Sequence, residues 1–353
     1  MLSRKNFLER IGLIPLAFAL PRTLAADESD DSLVENQLFG GRRNTSSNYV
    51  PHYVALQQSG ELKERGQALW ERMEACDLCP RNCRANRLEG ERGQCRANSE
   101  LEISSYGPHF GEEPELVGRH GSGTIFFTNC SLHCVFCINY DVSQLGQGRR
   151  RSISELADMM LKLQRRGCYN INVVTPTHYS PHILLALDDA ASRGLRLPLA
   201  YNTCGWEKTE VLELLDGVVD IYLTDFKYGC PEKAGIYSVG AHTYVEFTQQ
   251  AHLKIQEQVG VAIPNADTGL MERGLILRHL VMPSDVSCTA SVMAWIGEHL
   301  PKNTYVNLMS QYTPVFKAKD FPEINRRLYT HEYASAIASA QKAGLTNVHI
   351  QGY

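Results

Sequence analysis

Residues 121–137 read GSGTIFFTNCSLHCVFC, in which a short apolar run is followed directly by three cysteines. Cys130, Cys134 and Cys137 are separated by three and then two residues, so a single short loop carries all three thiols. Thiolates bind soft metals and are the usual ligands of iron–sulfur clusters. Three cysteines are one fewer than a closed four-iron cluster takes, which leaves one iron open to a substrate or cofactor. The spacing therefore predicts a reactive iron–sulfur site directly after a strand.

Two other interpretations of these cysteines are a zinc knuckle and a redox dithiol formed by Cys134 and Cys137. A zinc knuckle normally needs a second pair of ligands, and a dithiol would leave Cys130 without a role. The next cysteine along the chain, Cys168, lies beyond a predicted helix. The spacing together with the preceding strand favours the iron–sulfur site.

The rest of the chain alternates short apolar runs with helical segments. Strands are predicted over 124–129, 171–176, 197–203, 220–226, 275–283, 304–310 and 348–351. Helical patterns lie between these runs, and an earlier one covers 60–75. Strands alternating with helices indicate βαβ units, a parallel sheet and the α/β class. A partial barrel of about six parallel strands and an open doubly wound sheet both obey this pattern.

Polar residues stand at or just beyond the ends of the predicted strands. In parallel α/β folds the ligand site forms at the carboxyl ends of the strands, so these side chains should meet on one face. This shared placement favours the partial barrel. The residues are Cys130, Thr175, His178, Asn202, Thr203, Asp225, Lys227, Arg278 and Gln311.

A second group of cysteines, Cys76, Cys79, Cys83 and Cys95, precedes the predicted sheet. Four thiolates in so short a segment can close a tetrahedral metal site and stabilise a very small domain. Typical zinc ribbons use two paired knuckles and the second half here lacks one, so zinc and a second iron–sulfur cluster both remain open. A structural metal is slightly favoured, and disulfides are the least favoured state. The scattered cysteines are expected to be core or loop thiols: Cys168, Cys204, Cys230 and Cys288.

The cysteine spacing, with Phe136 just before the last cysteine, resembles the radical S-adenosylmethionine (SAM) superfamily. The resemblance implies a partial (β/α) barrel and a [4Fe-4S] cluster on Cys130, Cys134 and Cys137, whose open iron chelates SAM. It implies reductive cleavage of SAM to methionine and a 5′-deoxyadenosyl radical, which abstracts hydrogen from a substrate. Phe136 matches the aromatic residue that packs near the adenine.

Within that superfamily, roughly residues 76–315 are most similar to proteins resembling pyruvate formate-lyase activating enzyme. The stretch YNTCGW (201–206) resembles a third-strand motif, and IYLTDFKYG (221–229) resembles a fourth-strand motif. The resemblance implies that Asn202, Thr203, Asp225 and Lys227 lie near the polar parts of SAM. In LRHLVMP (277–283), Arg278 would pair with the methionine carboxylate, because a buried carboxylate needs a charge partner.

The second predicted strand departs from the family pattern. Many relatives carry a Gly-Gly-Glu stretch there that binds the methionyl amine, whereas this chain has TPTHY at 175–179. The residues that bind the amine therefore stay unassigned. Two further stretches, PHFGEEPELVGRHGSGTIFF and NLMSQYTP, resemble a narrower activating-enzyme-like branch without an assigned substrate. They supply four candidates for substrate contact: Glu112, Glu113, Gln311 and Tyr312.

Relatives of known role install a glycyl radical on a partner enzyme, so the resemblance implies a radical SAM oxidoreductase with a protein substrate. It also implies a low-potential electron donor of the flavodoxin or ferredoxin type. A second hypothesis is a two-cluster electron-transfer or redox-sensing protein without SAM turnover, which would need a fourth ligand such as Cys168 or His133. A zinc-stabilised binding module is a weaker third hypothesis.

The first 26 residues carry a pattern typical of export signals. Arg4 and Lys5 precede an apolar run over 11–20 and the small residues Ala25 and Ala26, and the order resembles a twin-arginine signal with Lys5 in place of the second arginine. The run is too short to span a bilayer. Because reductive SAM cleavage needs a cytoplasmic reductant, we expect cluster assembly in the cytoplasm and leave twin-arginine export to the periplasm open.

The formal net charge of −4 gives no basic surface that would suggest nucleic acid binding. The predicted organisation is a signal-like leader (1–26), a polar linker (27–59), a helix with the four-cysteine metal element (60–121), the core barrel (122–315) and a C-terminal helix and strand (316–353).

Overall fold

The computed structural model describes residues 49–351, and one sheet of nine strands organises them. The strand order is β3-β1-β2-β4-β5-β6-β7-β8-β9. Strands β2 and β4 to β9 run parallel, whereas β1 and β3 are antiparallel strands at one edge. The strands are β1 (Leu101–His109), β2 (Ser122–Phe127), β3 (Arg149–Arg151), β4 (Ile171–Val174), β5 (Leu199–Thr203), β6 (Ile221–Asp225), β7 (Gly274–Leu280), β8 (Tyr305–Met309) and β9 (Val348–Ile350).

Helices connect the parallel strands, as the βαβ pattern predicts. The start of α5 has an identifiable signal, since Ser152 and Glu155 form a capping box there. The helices are α1 (Tyr53–Ser59), α2 (Glu61–Glu71), α3 (Pro114–Val117), α4 (Tyr140–Ser143), α5 (Ile153–Arg165), α6 (Ser180–Ser192), α7 (Thr209–Leu214), α8 (Pro231–Tyr237), α9 (Tyr244–Val259), α10 (Thr289–His299) and α11 (Thr330–Lys342).

The mixed α/β fold with parallel strands is confirmed, and each of the seven strands predicted from apolar runs lies where it was expected. The parallel part therefore has seven strands, one more than the approximate six of the prediction. Strands β1 and β3 were missed, since β1 contains Gly107 and Pro108 and β3 consists of three arginines. Strand β1 belongs to the predicted 60–121 element yet pairs directly with β2, so that element and the core share one sheet.

The two faces of the sheet bury different apolar clusters. Successive strand residues point to opposite faces, and in β6 Tyr222 joins the large cluster under the helices while Ile221 and Leu223 join a smaller one. We call the face with the smaller cluster the inner face. Its apolar residues are Leu116, Ala200, Ile221, Leu223, Ala262, Met271, Ile276 and Tyr305.

One prediction about the scattered cysteines is wrong, because Cys230 and Cys288 form a disulfide. They are far apart in sequence, but β6 and β7 are neighbours and the loops that follow these strands run side by side. Cys168 and Cys204 are thiols, as expected.

The predicted leader (1–26) and most of the polar linker (27–59) lie outside the described residues, and the end of the linker is the helix α1. Among residues 49–351, none of the helices has both the length and the apolar character needed to cross a bilayer.

Replacing Gly205 by alanine should lower the free energy of unfolding by more than about 2 kcal/mol. Gly205 follows β5 with φ +76°, and a Cβ there would lie 2.2 Å from the carbonyl oxygen of Asp225, which is backbone and cannot give way. Gly194→Ala is the matched control, since its φ is +97° but the space around it is open. Urea unfolding of both variants would measure the difference. Equal losses would contradict the proposed clash.

Candidate functional site

The loop of residues 130–137, here the cysteine loop, follows β2 at the carboxyl end of the parallel strands. Asn129 (φ 68°) and His133 (φ 58°) adopt left-handed backbone conformations, which turn the chain sharply at the start of the loop and within it. The loop therefore begins at the carboxyl end of β2, where the sequence predicts it, and Lys227 at the end of β6 lies close enough to act on its thiols.

Each sulfur of the cysteine loop has a hydrogen-bonding neighbour. The Leu132 N–H donates to Cys130 Sγ at 3.4 Å, the Ser238 hydroxyl lies 3.1 Å from Cys134 Sγ, and the Ser143 hydroxyl lies 3.1 Å from Cys137 Sγ. Hydrogen bonds to cysteine sulfur are one of the means by which proteins orient cluster ligands and set reduction potentials. Sequence reasoning missed Ser143 and Ser238, because serine spacing carries no signal of this kind.

Lys227 and Arg81 are cations that act on Cys130 and Cys134. Burial raises the pKa of Cys130 to about 11 and that of Cys134 to about 12, and the Lys227 ammonium acts in the opposite direction on both. A positive charge at this position favours the thiolate forms that bind metal.

A charged network crosses the inner face beside the cysteine loop. Asp225 at the end of β6 accepts from Lys227 Nζ at 2.5 Å and from Arg278 Nε at 2.9 Å. Arg278 also donates to Asn202 Oδ1 at 2.7 Å and to Glu112 Oε2 at 3.1 Å. Burial alone would raise the pKa of Asp225, but the charges of Arg278 and Lys227 hold it below its ordinary value. The network thus keeps a buried carboxylate ionised.

Glu112 reaches this network from the loop before α3. One of its carboxyl oxygens accepts from Asn202 Nδ2 at 3.3 Å and from Asn172 Nδ2 at 3.4 Å, and the other accepts from Arg278. Burial raises the pKa of Glu112, and Arg278 opposes that rise. All three nitrogens of the Arg278 guanidinium therefore have protein acceptors, a point that the sequence could not reveal.

Three further predicted residues, Thr203, Phe136 and Tyr312, contact other residues of the protein. Thr203 donates to the buried Glu207, which also accepts from Thr177 at 2.6 Å, and burial raises the pKa of Glu207 to about 7. Phe136 packs with Tyr312 at a ring-centroid distance of 6.0 Å, and the Tyr312 hydroxyl donates to the Ile324 carbonyl oxygen. The hydroxyl groups of Thr203 and Tyr312 therefore donate to acceptors within the protein.

Cys168 and His133 are the two predicted candidates for a fourth cluster ligand, and Cys204 is a third thiol to compare with them. Cys168 precedes β4, whereas Cys130 follows the parallel neighbour β2, so these thiols lie at opposite ends of the strands. The ring nitrogens of His133 contact Gln144 Oε1 at 3.0 Å and the Gln94 carbonyl oxygen at 2.7 Å. Cys204 follows β5, at the same carboxyl edge of the sheet as Cys130, and the two thiols are close enough to interact electrostatically.

The four-cysteine element gathers its thiols around small and cationic residues. A Cβ at Gly93 would lie 3.2 Å from Cys83 Sγ and 3.4 Å from Cys95 Sγ, so the glycine leaves room beside both sulfurs. The fully buried Arg87 places Nη1 3.7 Å from Cys76 Sγ and donates to the Asn98 carbonyl oxygen. Over residues 49–351, no group of three or more Cys, His, Asp or Glu side chains lies close enough together to bind a single metal ion.

Arg81 joins the four-cysteine element to the cysteine loop. Its guanidinium donates to four backbone carbonyl oxygens, those of Ser131, Leu132, Ser238 and Val239, at 2.7 to 3.3 Å. It also lies 5.0 Å from the centre of the Trp206 ring. Together with the contact between His133 and Gln94, this packs the two cysteine segments directly against each other.

Comparisons with known proteins identify a family domain in this part of the chain. A family model described as the Radical SAM superfamily matches residues 124–253. The uncharacterized protein MJ0674 of Methanocaldococcus jannaschii is 35% identical over 284 residues, which cover 78% of this chain and 76% of that protein. The family match begins in β2 and ends inside α9, so it contains the cysteine loop, Asn202, Thr203, Asp225 and Lys227.

Replacing Arg278 by methionine should lower the free energy of unfolding at pH 7 by about 3–5 kcal/mol, because Asp225 and Glu112 would stay buried without that cation. The folded pKa of Asp225 is depressed, so its contribution to stability is present above the unfolded pKa of about 4 and is lost as pH falls through the folded value. The loss caused by Arg278→Met should therefore shrink in acid. Urea unfolding at pH 7 and pH 3 measures both effects.

Arg193→Met is the control for that measurement, since its ion pairs with Asp158 and Asp189 are exposed and screened by water, and their loss should change the free energy of unfolding little. A loss for Arg278→Met no larger than that of the control would mean that the buried network does not hold the strand ends.

Replacing Arg81 by methionine should raise amide hydrogen exchange about tenfold in residues 131–135 and 238–240, because four carbonyl hydrogen bonds disappear. Exchange in β5 to β7 should not change. Arg84→Met, at an exposed arginine of the same element, is the matched control. Unchanged exchange at 131–135 in the Arg81 variant would show that the guanidinium does not hold the cysteine loop.

Proposed function

Because this chain belongs to the radical SAM superfamily, we propose that Cys130, Cys134 and Cys137 hold a [4Fe-4S] cluster whose open iron binds SAM. The donor set fits such a cluster: three thiols on one loop, each beside a hydrogen-bonding group, with the Lys227 cation close by. When bound, the cluster supplies the electron that splits SAM into methionine and a 5′-deoxyadenosyl radical, which abstracts hydrogen from a substrate. The placement of these thiols at the carboxyl ends of the strands carries the proposal.

Residues of the neighbouring strand ends would bind and orient SAM. We assign this role to Phe136, Asn202, Thr203, Asp225, Lys227 and Arg278. Three of the five N–H donors of Arg278 already have protein acceptors, so the methionine carboxylate would take the two that remain or replace one of these acceptors. Glu112 is the acceptor that can move, since it stands on a loop, whereas Asp225 and Asn202 are fixed in strands of the sheet.

The finer assignment is a pyruvate formate-lyase activating enzyme-like oxidoreductase with a partial barrel core of residues 122–315. Its support is the resemblance of the strand motifs and the loop that carries Glu112 and Glu113. By analogy the substrate is a protein in which a glycyl radical is formed, and the electron donor is a flavodoxin or ferredoxin. The cluster would be assembled in the cytoplasm.

For Cys76, Cys79, Cys83 and Cys95 we propose a second metal site, zinc or iron–sulfur. The contacts of Arg81 and Gln94 with the cysteine loop favour an iron–sulfur cluster, because electrons could then pass between neighbouring clusters. In a triple alanine variant of Cys130, Cys134 and Cys137, about four irons per chain would support the cluster and one zinc the structural metal.

The alternative is a two-cluster electron-transfer protein in which the cluster on the cysteine loop is closed. The position of Cys168 at the other end of the strands speaks against it as the fourth ligand. Cys204 is the thiol on the carboxyl edge that would serve this alternative.

The decisive assay is SAM cleavage by anaerobically reconstituted protein reduced with dithionite. Wild type should form 5′-deoxyadenosine, and Cys134→Ala should form none, because the cluster loses one of three ligands. Cys168→Ala, which removes a thiol at the opposite end of the strands, should keep the activity.

A wild-type protein with a spectroscopically intact cluster and no product would overturn the proposal. In that case a Cys204→Ala variant that gained SAM cleavage would identify Cys204 as the fourth ligand and favour the electron-transfer alternative.

A further inference from the structure

An acidic segment, Glu112 to Glu115, lies across the inner face of the sheet. Glu112 contacts β4, β5 and β7 through Asn172, Asn202 and Arg278, as described above. Glu113 Oε1 accepts from Asn307 Nδ2 in β8 at 2.8 Å, and Glu115 Oε2 accepts from the Tyr305 hydroxyl at 2.9 Å. Leu116 anchors the segment in the apolar cluster of this face. The segment thus brings three carboxyl groups onto the face where the strand-end site opens.

The same face carries the polar strand residues, because strand side chains alternate. Asn202 is two residues beyond Ala200, Arg278 two beyond Ile276 and Asn307 two beyond Tyr305, so each points to the inner face. Asn172 is in register with Ala200 on the neighbouring parallel strand and points the same way. The inner face therefore combines the charged network with the acidic segment.

Glu113 is buried although one of its two carboxyl oxygens receives no hydrogen bond from a described residue. Its side chain belongs to a residue that is only 5% exposed, and among the described residues none donates a hydrogen bond to its Oε2. Arg278 acts on Glu113 electrostatically, but its nitrogens bind Asp225, Glu112 and Asn202. A buried carboxyl oxygen without a donor costs stability unless a ligand supplies one.

Asn172 gives a second, independent sign of a missing donor. It is fully buried, its Nδ2 donates to Glu112, and no described residue donates to its Oδ1. The amide orientation follows from the contact, since the reverse would put the amide oxygen against the Glu112 carboxylate. Two buried acceptor atoms on one face, Glu113 Oε2 and Asn172 Oδ1, thus receive no hydrogen bond from a described residue. The cations on that face, Arg278 and Lys227, already have acceptors.

We propose that Glu113 and Asn172 receive a positively charged group of the substrate, a primary ammonium or a guanidinium, on the inner face. Both groups carry only donors and match two acceptors that lack them. The proposal rests on the proposed function, because it assumes that the substrate enters the face beside the cysteine loop. For a protein substrate, the matching group is a lysine or arginine side chain near the site of hydrogen abstraction.

The test uses small alkyl probes on the reconstituted, SAM-loaded protein: n-butylamine and n-butylguanidine, with n-butanol and butyrate as neutral and anionic controls. Calorimetry should show that the two cations bind at least tenfold more tightly than either control. Glu113→Gln should weaken cation binding at least tenfold, and Asn172→Ala should weaken it about threefold. Glu115→Gln is the matched control in the same segment and should bind the cations as wild type does.

The SAM dissociation constant, measured on every variant, separates two sources of the ammonium. If Glu113→Gln weakens SAM itself, the carboxyl group serves the methionyl ammonium and the substrate proposal is wrong. Equal affinity for butylamine and butanol in wild type also overturns it. Should circular dichroism show that Glu113→Gln does not fold, Asn172→Ala decides, and wild-type affinity for the cations in that variant contradicts the proposal.

Formation of 5′-deoxyadenosine distinguishes this failure from failure of the proposed function. A wild type that cleaves SAM without preference for cations refutes only the cation site. A wild type that cleaves no SAM refutes the function on which the site rests.

Discussion

The ion pair between Arg278 and Asp225 is the interaction on which the site depends. It joins the ends of neighbouring strands β6 and β7, and the remaining guanidinium nitrogens tie in Asn202 of β5 and Glu112 of the acidic segment. Because Arg278, Asp225 and Glu112 are largely buried, removal of Arg278 would leave two carboxylates without that cation. The network therefore fixes the carboxyl edge of three strands in one arrangement and holds Lys227 near the cysteine thiols.

A second constraint joins the two cysteine segments. The guanidinium of Arg81 can satisfy four carbonyl oxygens only if residues 131–132 and 238–239 lie next to the four-cysteine element. Ser238, which is one of those acceptors, also places its hydroxyl 3.1 Å from Cys134 Sγ. The backbone position of the four-cysteine element is thus linked mechanically to a sulfur of the cysteine loop, which gives that element a role in shaping the site with or without a bound metal.

Much of the fold followed from local patterns, because buried parallel strands give continuous apolar runs and their ends collect polar residues. The same logic placed the cysteine loop, Asn202, Asp225 and Lys227 on one edge. Strands β1 and β3, the Cys230–Cys288 disulfide, and the contacts of Arg81 and Glu112 could not be predicted. Each of these features depends on which distant segments of the chain become neighbours in the fold. No periodic pattern or residue spacing in the local sequence indicates such neighbours.

The proposed chemistry depends on an iron without a cysteine ligand at the cysteine loop, and electron–nuclear double resonance of the reduced cluster can detect such an iron without turnover. SAM labelled with ¹⁵N at its amino group and ¹⁷O at its carboxylate would be added to the reduced, reconstituted protein. Hyperfine coupling is expected from both labels, since both groups would bind the iron without a cysteine ligand. Absence of coupling, with SAM bound and the cluster reduced, would contradict the account and mean that a fourth protein ligand closes the cluster.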